Sequence, residues 1–189
     1  MATLTRAALE ALGFAAIGED VRVSDKAVFY NAANIRLGNH VRIDDFCVLS
    51  AGAGGITVGN HVHIAVFCSL IGAGKITLSD FCNLSSRVAI YGSSDDYSGA
   101  TMTNPMVPAE YTGCHHADVH LGKHAIIGCG SVLLPGVTLA EGVAVGALSL
   151  VREDCKAFQI YAGAPARRVG DRKRDLLALE KAFLASGPA

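Results

Sequence analysis

The chain has no tryptophan and only 5 prolines, and aromatic residues make up just 6% of its 189 residues. Glycine, by contrast, numbers 21. A chain so poor in rings and so rich in glycine is not composed like a β-sandwich or a helix bundle. It suggests a fold of many close, repeated turns. An excess of one charge is also missing. Lys plus Arg number 16 and Asp plus Glu 17, a net charge of −1. That balance excludes the basic footprint of a nucleic-acid polymer binder, and there is no acidic tail. No run of about 18 residues is free of polar or breaker residues, so no membrane span is expected. Arg6 and Glu10 interrupt the N-terminus before any apolar core of a signal peptide can form. None of the six cysteines (Cys47, Cys68, Cys82, Cys114, Cys129 and Cys155) pairs as C-x-x-C. Zinc ribbons and thioredoxin chemistry are therefore not indicated. Reduced thiols in a cytoplasmic setting are expected, most of them packed as small apolar side chains. A P-loop and a strand-linked G-x-G-x-x-G are absent, which argues against nucleotide hydrolysis and NAD chemistry. Hydrophobic residues reach 51%, enough to fill the core of one domain.

What is present is a period of six. Leu37, Ile43 and Leu49 form one set, Val58, Ile64 and Leu70 the next, and Leu78, Leu84 and Ile90 a third. After a break the period runs Leu121, Ile127, Leu133, Leu139, Val145, Val151. Neither the helical 3.6 nor simple strand alternation selects six. One short strand plus one turn does, and three such units make a triangular coil that stacks on the next. The reading is an all-β solenoid over residues 17–170. Gly38-Asn39, Gly59-Asn60, Ser79-Asp80 and Gly122-Lys123 each follow an aliphatic residue where the chain turns a corner, and Gly and Asn tolerate the backbone a corner needs. His40, His61 and His124 share that corner column and read as turn features.

Residues 91–118 carry no hexad, and so long an insertion in a regular solenoid is usually functional. Residues 1–16 are expected to form an N-terminal cap, with a short helix over 3–12. Residues 171–189 are expected to form a C-terminal helix, capped by Asp171 and striped by Leu176, Leu179 and Phe183.

These residues resemble the hexapeptide-repeat acyltransferases. Ile127-Gly128-Cys129-Gly130, Pro135-Gly136-Val137, Gly146-Ala147-Leu148-Ser149-Leu150-Val151 and Gly163-Ala164-Pro165-Ala166-Arg167 match that family's signatures in order and spacing. The resemblance implies a left-handed parallel β-helix, a homotrimer, and acetyl-CoA bound in clefts between subunits. Within the family, Ile43-Asp44-Asp45-Phe46-Cys47, Val62-His63-Ile64-Ala65, the stretch 94–99 and Met102-Thr103-Asn104-Pro105 resemble the enzymes that N-acetylate a nucleotide-linked 4-amino-4,6-dideoxyhexose for O-antigen or capsule, part of lipopolysaccharide biosynthesis. They also resemble O-acetyltransferases acting on a polysaccharide or lipid-linked sugar. A zinc lyase on the same fold, and a non-catalytic assembly module, are the readings from other classes.

Acyl transfer needs a base for the acceptor and donors for the oxyanion. Maltose- and galactoside-type relatives carry a histidine just after the third-coil aliphatic. Here Ile90-Tyr91-Gly92-Ser93-Ser94 leads to Asp95 instead, and the slot where those relatives carry Asn holds His63. The resemblance thus implies an exchange of roles: His63 is the candidate base, and Asp95 or Asp96 of an adjacent subunit orients it. Arg42 and Asn83 share the outward column of His63 and are candidate substrate contacts. His115 and His116 in the long loop are rival bases. His115-x4-His120 resembles part of the zinc site of the β-helical carbonic anhydrases, but residues 91–100 supply no third histidine. No metal is expected. Cys129, Ala147 and Arg152 fall where the relatives contact CoA. Arg167 matches the basic residue after Pro-Ala, and Arg168, Arg172, Lys173 and Arg174 add charge suited to phosphate.

Overall fold

The six-residue period folds into three sheets of six, eight and six strands, parallel except for the last strand of the second, wound about one axis in about 7 turns. This is the architecture of the left-handed parallel β-helix. The computed structural model describes residues 2–186. Each sheet buries one aliphatic column. On the first, Leu37, Val58, Leu78, Leu121 and Leu139 stand in register. On the second, Ile43, Ile64, Leu84, Ile127 and Val145 do so. On the third, the column is Leu49, Leu70, Ile90, Leu133 and Val151. None of these side chains is more than 4% exposed. Burying each contributes roughly 1.5–3 kcal/mol, and truncating one to alanine costs about 2–5 kcal/mol. Cys47, Cys68, Cys82 and Cys155 are buried in the same interior; all six cysteines are free, with Cys114 and Cys129 exposed. Burial pushes the Cys82 thiol up to about 12 and the Cys155 thiol up to about 11.

The coils are not equal. Equivalent residues recur 21 or 20 positions apart before the long loop (Asn39 and Asn60, His63 and Asn83) and 18 apart after it (Ser131 and Ser149). The extra residues all lie at the third corner, between Ala51 and Ile56 and between Gly72 and Ile76. The loop is the same corner enlarged. It leaves after Tyr91 and returns at Val119, so that Lys75 N–H meets the Asp118 carboxylate across 43 positions. Gly74 sits where this corner closes. A Cβ there would collide with the Ala117 carbonyl oxygen.

The first corner corrects one detail of the sequence reading. The left-handed residue is neither the glycine nor the asparagine but the one that follows. His40, His61, Phe81 and His124 have φ of 54°, 55°, 61° and 61°. Gly38 is required because a Cβ would meet the Gly59 carbonyl oxygen of the next coil at 2.6 Å. Asn39, Asn60 and Asp80 turn their side-chain oxygens to the coil below, accepting from Glu19 N–H at 2.8 Å, Asn39 N–H at 2.9 Å and Asn60 N–H at 2.7 Å. The rings of His40, His61, Phe81 and His124 stack 4.6–5.0 Å apart as a result.

The ends differ from expectation in extent. Helix α1 spans Arg6–Ala11, with Thr5 Oγ1 accepting from Ala8 N–H, and plugs the solenoid with buried Leu9. Asp171 does not cap the C-terminal helix. It ends a strand, Arg167–Asp171, that doubles back antiparallel on Gln159–Ala162, and its carboxylate accepts from Arg168 at 2.8 Å. The extended backbone of that strand postpones the helix. Helix α2 therefore spans Asp175–Ala185, with no side-chain cap. Its expected stripe is not a buried face, since Leu179 is 70% exposed. Phe183 instead packs edge-on to His61 and Phe81, and Glu180 bridges Lys123 and His124. The last three residues of the expected C-terminal segment, and Met1, lie outside the described residues. Among the described residues no helix is long and apolar enough to cross a membrane.

Candidate active site

The second sheet carries the polar row on its outer face. The strands Arg42–Ile43, His63–Ile64 and Asn83–Leu84 are each two residues long, one pointing in and one out, so Arg42, His63 and Asn83 fall in register beside the buried Ile43, Ile64 and Leu84. The row is tied together. His63 Nδ1 lies 3.2 Å from Asn83 Oδ1, and His63 Nε2 lies 2.9 Å from Asp44 Oδ2. Arg42 Nε donates to Asp44 Oδ1 at 2.7 Å. Asp44 is only 7% exposed. Burial acts to raise its carboxyl, but the hydrogen bonds from His63 and Arg42 outweigh it and leave the group below the ordinary carboxylate value.

The carboxylate that meets His63 within the chain is thus Asp44, from one coil earlier, whereas Asp95 and Asp96 belong to the loop at the third corner. Sequence reading missed Asp44 as a site residue. Its signal was positional. It directly follows a core aliphatic, where the neighbouring coils carry Ala65, Ser85 and Gly128, all small.

The loop has its own order. Ser93–Ser94 pairs antiparallel with His115–His116, forming a stem. Ser93 Oγ accepts from Ala73 N–H at 2.8 Å and lies 2.8 Å from His116 Nδ1. Cys114 Sγ is 3.7 Å from the same nitrogen. Asp96 braces the loop, accepting from Ser98 N–H at 2.8 Å, Thr101 N–H at 2.9 Å and Thr101 Oγ1 at 3.0 Å. These bonds, those to Ser98 foremost, bring its carboxyl down to about 2. The exposed Asp95 carboxylate has no hydrogen-bond or ion-pair partner among the described residues. It borders a hollow of about 450 Å³ on the third sheet, with Tyr91, Tyr97, Val132 and Leu134. His115 and His116 are exposed on the stem, away from the His63 row.

The four residues singled out for CoA fall at two places. Cys129 and Ala147 are exposed in adjacent coils of the second corner, where Leu148 N–H donates to the Cys129 carbonyl at 2.8 Å. Gly128, beside them, has no room for a Cβ, which would strike Ala147 N. The two coils are therefore packed closely along this edge, with small side chains outward. Arg152 and Arg167 line a separate small hollow of about 70 Å³ together with Glu153. Arg152 Nε lies 3.6 Å and Arg167 Nη1 3.4 Å from Glu153 Oε1. Another hollow, of about 300 Å³, lies under α2 beside the stacked rings of the first corner. Lys123 and His124 hold Glu180 there below the usual carboxylate range, while burial and the neighbouring His40 lower His61. No group of three His, Cys, Asp or Glu side chains stands where it could hold a metal ion among the described residues.

No protein-family model matches the chain. It is 55% identical over 186 residues, 98% of its own length and 97% of the relative's, to the dTDP-4-amino-4,6-dideoxy-D-glucose acyltransferase of Escherichia coli. The chain belongs to the hexapeptide-repeat acyltransferases. The enzyme also superposes on AntD, an N-acyltransferase from Bacillus cereus solved with dTDP and 3-hydroxybutyryl-CoA, with a TM-score of 0.94 and 42% identity over 97% of each chain. A variant of AntD solved with dTDP-4-amino-4,6-dideoxyglucose and coenzyme A gives a TM-score of 0.94 at 41% identity, again over 97% of each chain.

Proposed function

We propose that the enzyme transfers an acyl group from acetyl-CoA or a short-chain acyl-CoA to the 4-amino group of a dTDP-linked 4-amino-4,6-dideoxyhexose. The observation that carries this reading is the full-length, 55% identity to a relative named for that acceptor. AntD, solved with both a dTDP-sugar and coenzyme A, supports it. The amine nitrogen attacks the thioester carbonyl, forming C–N. The C–S bond then breaks, and the proton lost by nitrogen must reach the departing sulfur. His63 is suited to carry that proton, because imidazole exchanges protons near neutrality and the ring stands on an outer face, 40% exposed. Arg42 and Asn83 flank it as contacts for the sugar nucleotide. Cys129 and Ala147 continue the same edge with small side chains, where pantetheine amides can pair with backbone. Arg152 and Arg167 supply charge for the CoA phosphates.

The functional unit in this reading is a homotrimer in the cytoplasm, working in lipopolysaccharide or capsule synthesis. The outer face of the third sheet supports association, since it presents Val28, Val48, Ile71, Tyr91, Val132 and Leu150. A neighbouring copy seated there brings its own polar row towards Asp95. Thiol release from acetyl-CoA, measured with dTDP-linked amino and hydroxy sugars side by side, tests the reading. Release with the amino sugar alone is expected. Release only with hydroxyl acceptors would replace it by O-acetylation.

A further inference from the structure

The outer row of the second sheet changes character along its length. From the N-terminal end it reads Arg22, Arg42, His63 and Asn83, then Ile126 and Ala144, each in register with the next coil. Guanidinium groups stand at one end, an imidazole and an amide in the middle, and apolar side chains beyond. Cys129 and Ala147 lie at the corner beside the apolar part. The row is one side chain wide, and its strands are about 4.8 Å apart. A ligand that matches it is long, narrow and anionic at one end only.

The cationic end is hollowed. Arg22 and Arg42 line a space of about 160 Å³ together with Asp20, His40 and Val41. Each arginine already has a carboxylate, so what decides is the donors left over. A guanidinium carries five N–H groups. Asp44 takes one from Arg42, at Nε and 2.7 Å, which leaves four. Asp20 takes two from Arg22, at Nε and Nη2 across 2.9 and 3.3 Å, which leaves three. Those remaining donors have no acceptor among the described residues. The Asp20 oxygens are themselves spent, on Arg22 and on His40 Nδ1 at 3.2 Å. The carboxylates thus orient the two forks without filling them, and an oriented fork loses less freedom when a ligand arrives. Asp44, 7% exposed, is the firmer anchor.

We propose that Arg22 and Arg42 form the subsite for the diphosphate of the sugar nucleotide, so that the acceptor lies lengthwise on this row with its sugar over His63 and Asn83. Two phosphates joined through one oxygen call for two neighbouring forks, and adjacent strands supply them one spacing apart. From Arg42 to Asn83 is two spacings, about 10 Å, which leaves room for a pyranose ring between the nearer phosphate and the 4-amino group. The amine then ends next to the coil of Ile126, beside the edge that carries Cys129. The two substrates meet end to end along one line. The inference rests on the reading of the acceptor as a dTDP-linked amino sugar, and it is independent of which group takes the proton. It adds Arg22 to the binding residues and assigns Arg42 to phosphate.

Calorimetric titration with dTMP and dTDP, beside steady-state kinetics with dTDP-4-amino-4,6-dideoxyglucose, tests the subsite. The wild type is expected to bind dTDP more tightly than dTMP, and to bind it less tightly as salt is raised. Equal affinity for the two nucleotides overturns the proposal. Arg22→Gln removes an exposed head and leaves the core column alone. It is expected to weaken dTDP about tenfold and to raise KM for the sugar nucleotide by a similar factor, with a shallower salt dependence and unchanged affinity for CoA. The double variant with Arg42→Gln is expected to lose the preference for dTDP over dTMP. Wild-type dTDP affinity in Arg22→Gln overturns the proposal. So does an equal loss of CoA affinity, which shows damage to the fold and not to a subsite. If the wild type binds dTDP and acylates the amino sugar while Arg22→Gln does both unimpaired, the diphosphate lies elsewhere and the acceptor reading stands. If the wild type neither binds dTDP nor releases thiol with the amino sugar, the acceptor reading fails and the subsite falls with it.

Discussion

The second and third sheets bury matching aliphatic columns, yet their outsides have little in common. On the second sheet Arg42, His63 and Asn83 face out, each tied to a polar neighbour. On the third, Val48, Ala89, Val132 and Leu150 face out with only Ser69 between them in the column, and Val28 and Tyr30 are 42% and 57% exposed. A solenoid makes this division easy. Inward and corner residues decide stacking, so the outward residues of each strand are free to take their own composition. One face holds polar groups at fixed distances, and the other holds apolar surface.

The sharpest way to break the comparison is to remove the chemical face. His63→Asn is expected to cut turnover by about 10²–10⁴, the usual contribution of a general base, while CoA affinity stays near wild type. Steady-state kinetics beside a CoA titration checks both halves. His116→Asn, on the loop stem, is expected to remain active, and loss there in place of loss at His63 would move the base to the loop.

Next comes the apolar face. Light scattering is expected to give three times 19.6 kDa for the wild type. Val132→Glu, which places a charge on the third sheet without touching the core column, is expected to yield smaller species with most activity lost. A fully active monomer would rule out a site shared between subunits.

A smaller effect is expected at the cation pair. Arg152→Ala and Arg167→Ala should each weaken CoA binding about tenfold, the low end for losing a charge-assisted hydrogen bond, because Glu153 already partly neutralises both. Unchanged affinity in both variants would place the phosphates elsewhere. The acid side is milder still. Asp44 and Glu180 are held below their ordinary values by hydrogen-bonded cations and imidazoles. A carboxyl lowered in the folded state adds stability that is present above its unfolded value, near 4, and is lost as pH falls through the folded one. His61, lowered by burial and the neighbouring His40, adds a small loss that begins as pH falls through the ordinary histidine value of about 6.5. Thermal scans are therefore expected to decline gently below neutrality and to drop further below pH 4. Glu180→Gln, which unties α2 from Lys123 and His124, should flatten part of that drop. The smallest effect is expected from reductant, which should leave the melting temperature unchanged because all six cysteines are free.

The fold was legible because its rule is simple. A buried aliphatic every sixth residue leaves a mark in sequence that needs no partner to interpret, and Leu37, Val58 and Leu78 stack as their spacing requires. The longer steps between the sets, from Leu49 to Val58 and from Leu70 to Leu78, stand in the sequence too, and the structure shows that they fall at one corner. Finer assignments failed where local and long-range demands compete. Asn39 was credited with the left-handed turn on propensity, but its side chain serves the coil below and His40 takes the positive φ instead. Asp171 looked like a helix cap, but the antiparallel return strand claimed it first. In the candidate site the row of Arg42, His63 and Asn83 could be read as a row, since alternation fixes what points outward. The meeting of His63 with Asp44 could not. It joins residues 19 apart, and that separation becomes adjacency only once the coil length is known.

The third corner is where the solenoid takes up extra length. Its slack of a few residues in the early coils becomes, after Tyr91, an excursion that ends at Val119, yet the strands on either side remain in register: Ile76 meets Val119 and Ala89 meets Val132. Closure entropy grows only with the logarithm of length, about 0.6 kcal/mol for each doubling. Stretching this corner from a short turn to the full loop therefore costs on the order of 2 kcal/mol, less than one well-packed leucine. The corner works as an expansion joint. Sequence can be inserted or exchanged there while the coils stay where they are, so a lineage can rewrite what approaches Asp95 without having to re-solve the fold.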